Sequence, residues 1–176
     1  MRFSRTAIDG AWLIELERFS DDRGSFARAY CEEAFAEHGL MSRFVQSSVS
    51  TTLHLHTLRG MHYQAEPHGE AKLIRCSRGR IYDVLVDLRP DSPTHLKWLS
   101  VELTPEAANQ LYAPSGVAHG FVTLEPDTEV TYQISYPYTP EASRGVRWND
   151  PALGIQWPVS DPTMNERDRT FPDLIL

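Results

Sequence analysis

The 176-residue chain has few cysteines and no long apolar stretch, and both shortages narrow what it can be. Its two cysteines, Cys31 and Cys76, belong to no CxxC or Cys/His spacing, so the sequence predicts buried free thiols and no zinc site. Near the start, "AWLI" is far too short for the core of a signal peptide or for a membrane span. We therefore expect a cytoplasmic protein without a membrane partner.

Basic charge is also scarce. Lysine and arginine together number 17 against 24 acidic residues, which gives a net charge of −7. A broad nucleic-acid surface is not expected with this balance, and an anionic ligand would need a local cluster of cations. The length and the hydrophobic fraction of 41% are typical of one domain over residues 1–176, with a core that needs neither disulfide nor structural metal.

Helix-forming segments are few, and short segments with a period of two recur. In "IYDVLVDL" (81–88), apolar side chains alternate with Asp83 and Asp87, as on a strand. Similar segments at 96–103 and 129–134 are separated by turn-forming sequences, which predicts an all-β sandwich or barrel. Short helices are expected at 32–39, 104–110 and 163–169. No βαβ pattern, GxGxxG or P-loop sequence is present.

The histidines raise the question of a metal. "HLH" at 54–56 would put two imidazoles on one face of a strand, and "PSGVAH" (114–119) has the P-x-G-x-x-H form of a metal-binding cupin motif. The other cupin motif is degraded, because Gln64 stands where its second histidine would be. We expect no catalytic metal, with a metal-dependent cupin using His54, His56 and His119 as the alternative.

Three further polar residues stand out from their surroundings. Arg59 lies inside the compact motif "LRGMHYQ" (58–64), and arginine is suited to bidentate contact with phosphate. Lys72 shares a strand face with Ile74 and Cys76, which is unusual unless its ammonium is paired or binds a substrate. Tyr132, in "TYQISYPY", is either a core aromatic or a proton donor.

Several motifs follow one another along the chain in a fixed order. They are "DDRGSF" (21–26), "FVQ" (44–46), "LRGMHYQ" (58–64), "GRIYDVLVDLR" (79–89), "QLYAPSGVAHGFVTL" (110–124), "VTYQ" (130–133), "RWNDPALGIQWP" (147–158) and "RDRTFP" (167–172). Each motif alone is weak, but the ordered set is specific, and from about residue 5 to residue 173 it resembles the dTDP-4-dehydrorhamnose 3,5-epimerase family.

The resemblance implies a cupin-type jelly roll without cofactor that forms homodimers and epimerises a dTDP-linked 4-keto-6-deoxyhexose. It implies that His62 is the catalytic base, Asp168 its carboxylate partner, Tyr132 the proton donor, and Lys72 the cation near the substrate carbonyl. It also implies substrate contacts by Arg23, Gln46, Arg59, His119 and Arg167. Arg23 would come from the partner subunit.

Three positions depart from the family pattern. Arg28 and Ser143 replace glutamates, and Ser48 replaces an asparagine, at positions that tend to touch the nucleotide or sugar. These departures predict an altered recognition of sugar or base around a retained catalytic set. The open alternatives are an epimerase acting at C3 alone, a 3,4-ketoisomerase of a related nucleotide sugar, and a cupin that binds sugar nucleotides without catalysis.

Overall fold

Thirteen short strands and two short α-helices form in residues 1–174, the part of the chain that the computed structural model describes. The strands are β1 (Arg2–Arg5), β2 (Trp12–Glu15), β3 (Arg18–Asp21), β4 (Gly24–Ala27), β5 (Gln46–Thr52), β6 (Leu58–Gln64), β7 (Lys72–Arg78), β8 (Ile81–Asp87), β9 (Trp98–Leu103), β10 (Asn109–Ala113), β11 (Val117–Thr123), β12 (Thr128–Ile134) and β13 (Ser143–Gly145). The helices are α1 (Glu32–Glu37) and α2 (Glu166–Arg169). No helix in this part of the chain is long and apolar enough to cross a membrane.

Two antiparallel sheets face each other. Sheet one has the order β1-β2-β10-β7-β12-β5, and sheet two has the order β13-β6-β11-β8-β9, while β3 and β4 form a separate hairpin. The main core lies between the sheets and includes Ile74, Leu111 and Val130 from sheet one and Leu85 and Phe121 from sheet two. This arrangement confirms the all-β prediction and is the cupin-type jelly roll that the resemblance implies.

Successive residues of β8 point to opposite faces of sheet two, as the predicted alternation requires. Leu85 packs in the main core, whereas Val84 and Val86 belong to a second cluster on the other face of sheet two. That cluster includes Leu153 and Ile155 from the C-terminal segment. The C-terminal segment therefore covers the outer face of sheet two, which brings α2 beside β6.

The helix predictions have mixed outcomes. The helix expected at 32–39 forms as α1, and the one at 163–169 forms in shortened form as α2. At 104–110, where one helical turn with Thr104 as N-cap is expected, a single turn forms at 105–108 and Thr104 Oγ1 accepts from Ala107 N (3.0 Å), but the turn is not helical and β10 begins at Asn109. The Asn109 side chain closes this turn by accepting from Thr104 N (3.2 Å) and donating to the Glu102 carbonyl (2.9 Å). Pairing of β10 with β2 and β7 then outweighs the weak helical preference.

Both cysteines are free thiols, as predicted, but only Cys76 is buried; Cys31 is half-buried. Burial raises the pKa of the Cys76 thiol to about 11, so it is a poor nucleophile at neutral pH.

A buried carboxylate organises the turn that follows β8. Asp87 is fully buried and accepts hydrogen bonds from Arg89 Nε (2.8 Å) and Thr94 Oγ1 (2.6 Å), and also from Ser92. Arg89 also donates to the Asp9 carbonyl (2.6 Å), which ties this turn to the β1–β2 connection. Burial tends to raise the pKa of Asp87, but the hydrogen bonds from Arg89, Ser92 and Thr94 outweigh it and hold the pKa well below its usual range.

We expect Asp87→Asn to lower the free energy of unfolding by about 2–4 kcal/mol near pH 7, because Arg89 and two hydroxyls lose their charged acceptor. A carboxyl whose folded pKa is depressed contributes stability above its unfolded pKa of about 3.9 and loses it at lower pH. The difference between wild type and variant should therefore shrink below about pH 4. Urea unfolding at several pH values measures this, with the exposed Asp91→Asn in the same turn as control. An equal effect of the two substitutions would contradict the assignment.

Candidate active site

A cavity of about 470 Å³ lies between the two sheets. Sheet one and sheet two both contribute polar side chains to its wall. These side chains include Gln46, Ser48, Lys72 and Tyr132 from sheet one, Arg59, His62, Gln64, His119 and Ser143 from sheet two, and Glu70 and Arg167 from flanking segments. Nine of the twelve site residues predicted from the sequence line the cavity. A tenth, Asp168, lies behind His62 and contacts its ring.

A bulge in β6 turns two of these side chains into the cavity. His119 pairs with His62, and Phe121 pairs with Arg59, so three steps along β6 match two steps along β11. Residues paired across an antiparallel ladder share a face, so Arg59 and His62 both point inward despite their odd separation. Gly60 lies in the bulge with φ +143°, and a Cβ there would lie 2.5 Å from the Gly120 Cα. The two glycines thus permit the close backbone contact that the bulge requires.

The His62 imidazole is oriented by a carboxylate from the C-terminal helix. His62 Nε2 lies 2.8 Å from Asp168 Oδ1, and Asp168 Oδ2 accepts from Gly60 N at 3.1 Å. The Asp168 side chain is 1% exposed, whereas that of His62 is 37% exposed. Asn165 caps α2 by accepting from Asp168 N (2.7 Å), which fixes the carboxylate in place. One ring nitrogen is thereby held by the carboxylate, and the other is left for a substrate.

Lys72 begins β7 and lies in the wall of sheet one. Its ammonium donates to the His62 carbonyl (2.9 Å) and lies 3.1 Å from Glu70 Oε1. Burial lowers the pKa of Lys72, while Glu70 and then Asp83 act in the opposite direction. The sequence prediction of a paired or substrate-binding ammonium on this face is met by the Glu70 contact.

A second histidine–carboxylate pair lies deeper. His119 Nε2 is 2.6 Å from Asp83 Oδ1, and both side chains are buried. Burial raises the pKa of Asp83, although His119 opposes this. Tyr132 packs its ring edge against His119, with 5.8 Å between the ring centroids. Burial, followed by the nearby Asp83, raises the pKa of Tyr132 well above its usual range, so its phenol stays protonated at neutral pH.

The two sheets place the base and the phenol on different walls. His62 belongs to β6 in sheet two, and Tyr132 belongs to β12 in sheet one. Groups on facing sheets approach a ligand between them from opposite sides. This arrangement can remove a proton from one face of a carbon and return one to the other.

Two cations at the cavity have no carboxylate partner among residues 1–174. Arg59 donates to Thr52 Oγ1 (3.0 Å), and Arg167 donates to Ser143 Oγ (2.7 Å), both uncharged acceptors. Arg167 also lies over the Phe171 ring, at 5.6 Å from its centroid. These side chains form the local positive cluster that an anionic ligand requires in a chain of net charge −7.

Arg23 and Arg28 do not line this cavity. Arg23 lies in the turn of the β3–β4 hairpin, where its side chain is 85% exposed and pairs with Asp21. Arg28 follows β4 and is exposed beside Glu17 and Cys31. Of the three positions that depart from the family pattern, Ser48 and Ser143 therefore face the cavity, and Arg28 does not within its own chain.

The degraded metal motif has a structural role. The buried Gln64 side chain donates to the His68 carbonyl (2.9 Å) and accepts from Thr139 N (2.6 Å), so it joins two loops at the cavity. His54 and His56 lie in the exposed β5–β6 connection, and His119 is held by Asp83. Residues 1–174 contain no group of three or more His, Cys, Asp or Glu side chains placed to hold a metal ion.

Sequence reasoning missed the carboxylate of Glu70 and the role of Asp83. Both are buried acids, and the sequence contains a signal that could have indicated each of them. Glu70 is two positions before Lys72, a spacing that puts both side chains on one face of an extended segment. Asp83 interrupts the apolar β8, where an unpaired acid is not expected.

Comparison with known proteins agrees with this geometry. A sequence model of the dTDP-4-dehydrorhamnose 3,5-epimerase family matches residues 5–175. A relative of that name from Sinorhizobium fredii is 41% identical over 175 residues, which cover 99% of this chain and 90% of the relative. A dTDP-4-dehydrorhamnose 3-epimerase from Streptomyces niveus is 35% identical over 170 residues, covering 96% and 82% respectively.

A solved structure is similar over nearly the whole fold. The dTDP-4-dehydrorhamnose 3,5-epimerase of Bacillus anthracis, with TDP and PPi bound, superimposes with a TM-score of 0.95 at 41% identity, covering 98% of this chain and 99% of that one. The sequence match over residues 5–175 and the shared fold together show that the chain belongs to the dTDP-4-dehydrorhamnose 3,5-epimerase family.

Proposed function

We propose that the chain epimerises a dTDP-linked 4-keto-6-deoxyhexose at C3, C5 or both, through an enolate. The observation that carries this proposal is the placement of His62, with its Asp168 partner, and Tyr132 on opposite walls of one cavity that also contains Lys72. The dTDP-linked substrate is supported by the TDP bound in the related Bacillus anthracis enzyme. The guanidinium groups of Arg59 and Arg167, which have no carboxylate partner in the described part of the chain, are suited to the diphosphate.

The first step uses the acidity that the C4 ketone gives to the neighbouring C–H bonds. The free ring nitrogen of His62 takes the proton from C3 or C5, and the electron pair of that bond moves to the C4 oxygen. Asp168 holds the imidazole in orientation and stabilises the imidazolium that forms. The ammonium of Lys72, whose side chain is only 12% exposed, stabilises the enolate charge.

The second step returns a proton from the opposite side. The enolate carbon takes the phenolic proton of Tyr132, the C4 ketone is restored, and the configuration at that carbon is inverted. The tyrosinate and the imidazolium then regain their starting states by exchange with solvent. The raised pKa of Tyr132 keeps the proton on the phenol until a strongly basic carbon is present.

Recognition of the substrate is assigned to the rest of the predicted set. Gln46 and His119 lie in the cavity wall, and Ser48 pairs across the ladder with Tyr132. Ser143 is hydrogen-bonded to Arg167, so an uncharged partner stands where the family pattern has a carboxylate. This leaves the Arg167 charge uncompensated, which favours an anionic group at this edge of the cavity.

We also infer a homodimer in which Arg23 completes the site of the partner subunit. Phe19 and Phe26, on the β3–β4 hairpin that carries Arg23, are 69% and 70% exposed. On the outer face of sheet one, the buried atoms Arg75 Nε and Gln133 Oε1 have no hydrogen-bond partner among residues 1–174. A second copy placing its hairpin on this face would cover the aromatics and supply polar partners.

Deuterium exchange tests the regiochemistry. We expect dTDP-4-keto-6-deoxyglucose incubated with the enzyme in D₂O to gain label at both C3 and C5, because the proton returned to each carbon comes from the Tyr132 hydroxyl, which exchanges with solvent deuterium. Label at C3 alone would instead favour the reaction named for the Streptomyces niveus relative. An NMR product with the ketone at C3 would favour a 3,4-ketoisomerase, and nucleotide binding without any label would favour a non-catalytic cupin.

Removal of either proton-transfer group tests the mechanism. We expect His62→Ala and Tyr132→Phe to keep the fold and lose about 10²–10⁴-fold in kcat. Tyr132→Phe should retain more deuterium exchange than inversion, since His62 can still remove and return a proton on its own side. His95→Ala and Tyr82→Phe, which alter an exposed histidine and a tyrosine outside the cavity, are the matched controls. Near wild-type turnover by either cavity variant would refute its role.

Subunit complementation tests the dimer. In a mixed dimer of His62→Ala and Arg23→Ala chains, an Arg23 that acts across the interface leaves one site intact. Random re-association of two inactive homodimers should then recover about a quarter of wild-type activity. If Arg23 acts within its own chain, no intact site forms and no activity returns. A monomer in light scattering would also refute the inference.

A further inference from the structure

Glu70 is a buried carboxylate in the wall of the cavity, just before β7. Its side chain is 5% exposed, and its Oε1 lies 3.1 Å from Lys72 Nζ. Its other oxygen, Oε2, is buried and has no hydrogen-bond donor among residues 1–174. Burying a carboxylate with one oxygen unsatisfied costs free energy, so the contact with Lys72 must offset a penalty that a neutral residue would avoid.

Two of the three N–H groups of the Lys72 ammonium have partners within the protein. A protonated lysine has three N–H groups, and here one is directed to the His62 carbonyl and one to Glu70. The third is left for a ligand in the cavity. An ammonium held at two points in this way is pre-positioned, whereas a free lysine side chain would have to be ordered during the reaction.

We propose that Glu70 is a positioning residue for the epimerase reaction, which holds the Lys72 ammonium in place and supplies the counter-charge that keeps it a cation beside the substrate carbonyl. This inference rests on the function proposed above. In this role Glu70 acts through its contact with the Lys72 ammonium and needs no contact with the substrate itself.

The electrostatics of the surrounding wall support the assignment. Burial lowers the pKa of Lys72, and the largest opposing influence is Glu70, ahead of Asp83. Asp83 is itself engaged by His119 at 2.6 Å, so it is a weaker counter-charge for the lysine. The titratable and charged groups that line the cavity besides Glu70 and Lys72 are Arg59, His62 and Tyr63 on β6, His119 on β11, Tyr132 on β12, Tyr138 beyond β12 and Arg167 on α2. Asp83 on β8 also acts on the charge of Lys72.

The chain is well suited to a direct test, because Lys72 and Lys97 are its only lysines. Protein labelled with ¹³C at lysine Cε should give two NMR signals, and the exposed Lys97 serves as an internal reference. We expect Glu70→Gln to lower the pKa of Lys72 by about one to three pH units, because an opposite charge within hydrogen-bond distance is lost. The titration of Lys97 should not change.

Two variants separate charge from packing. Glu70→Gln keeps the shape and loses the charge, whereas Glu70→Asp keeps the charge and shortens the side chain. If Glu70 acts by its charge, Lys72 in Glu70→Asp titrates closer to wild type than in Glu70→Gln. The reverse order, or an unchanged Lys72 titration in Glu70→Gln, would overturn the proposal. Glu141→Gln, at an exposed glutamate outside the cavity, is the control and should leave both lysines unchanged.

The dependence of kcat on pH provides a second test of the proposal. In Glu70→Gln, the ratio of variant to wild-type kcat should be highest at the acidic end and fall as pH rises, with the high-pH loss of kcat about one to three units lower than in wild type, as Lys72 loses its proton. A uniform loss of kcat at every pH would indicate a structural role and contradict the proposal. The NMR titration requires no turnover, so failure of the proposed reaction and failure of the Glu70 assignment are distinguishable.

Discussion

The close contact between β6 and β11 at Gly60 and Gly120 is the constraint on which the site depends. A side chain at either position would collide with the other strand or with Met61. Because the strands meet so closely, the bulge in β6 is accommodated, and Arg59 and His62 face the same cavity. Gly60 N also donates to Asp168, so the same backbone segment holds the carboxylate that orients His62.

Around this contact, the buried charges occur as pairs. His62 with Asp168, His119 with Asp83 and Lys72 with Glu70 each place an acidic group against a basic one, and in each pair the carboxylate is buried. Pairing limits the cost of burial and fixes each group in one orientation. Arg59 and Arg167 are the exceptions in the cavity wall, since within residues 1–174 they have only neutral hydrogen-bond acceptors, and their charge is what an anionic ligand would meet.

The C-terminal segment completes the site from outside the sandwich. Leu153 and Ile155 cover the outer face of sheet two, and the chain then reaches the short helix that contains Asp168. Asp168 is 106 positions from His62 in the sequence, so the packing of this apolar surface, and not local sequence, brings the two side chains together. The same packing explains why β8 has apolar residues on both faces, since a core lies on each side of it.

The all-β class, the strands at 81–88 and 129–134 and most of the cavity residues could be predicted from alternation and from ordered motifs, because these are local patterns that survive in any fold of this type. The strand that begins at Asn109 could not, since the weak helical preference of 104–110 lost to the pairing of β10 with two neighbouring strands. The face of Arg59 depends on a bulge, and the Lys72–Glu70 and His119–Asp83 pairs depend on burial. By itself the sequence determined which chemical groups are present and in which strands; only the tertiary structure decided which of them meet, because burial and facing walls arise when the two sheets pack.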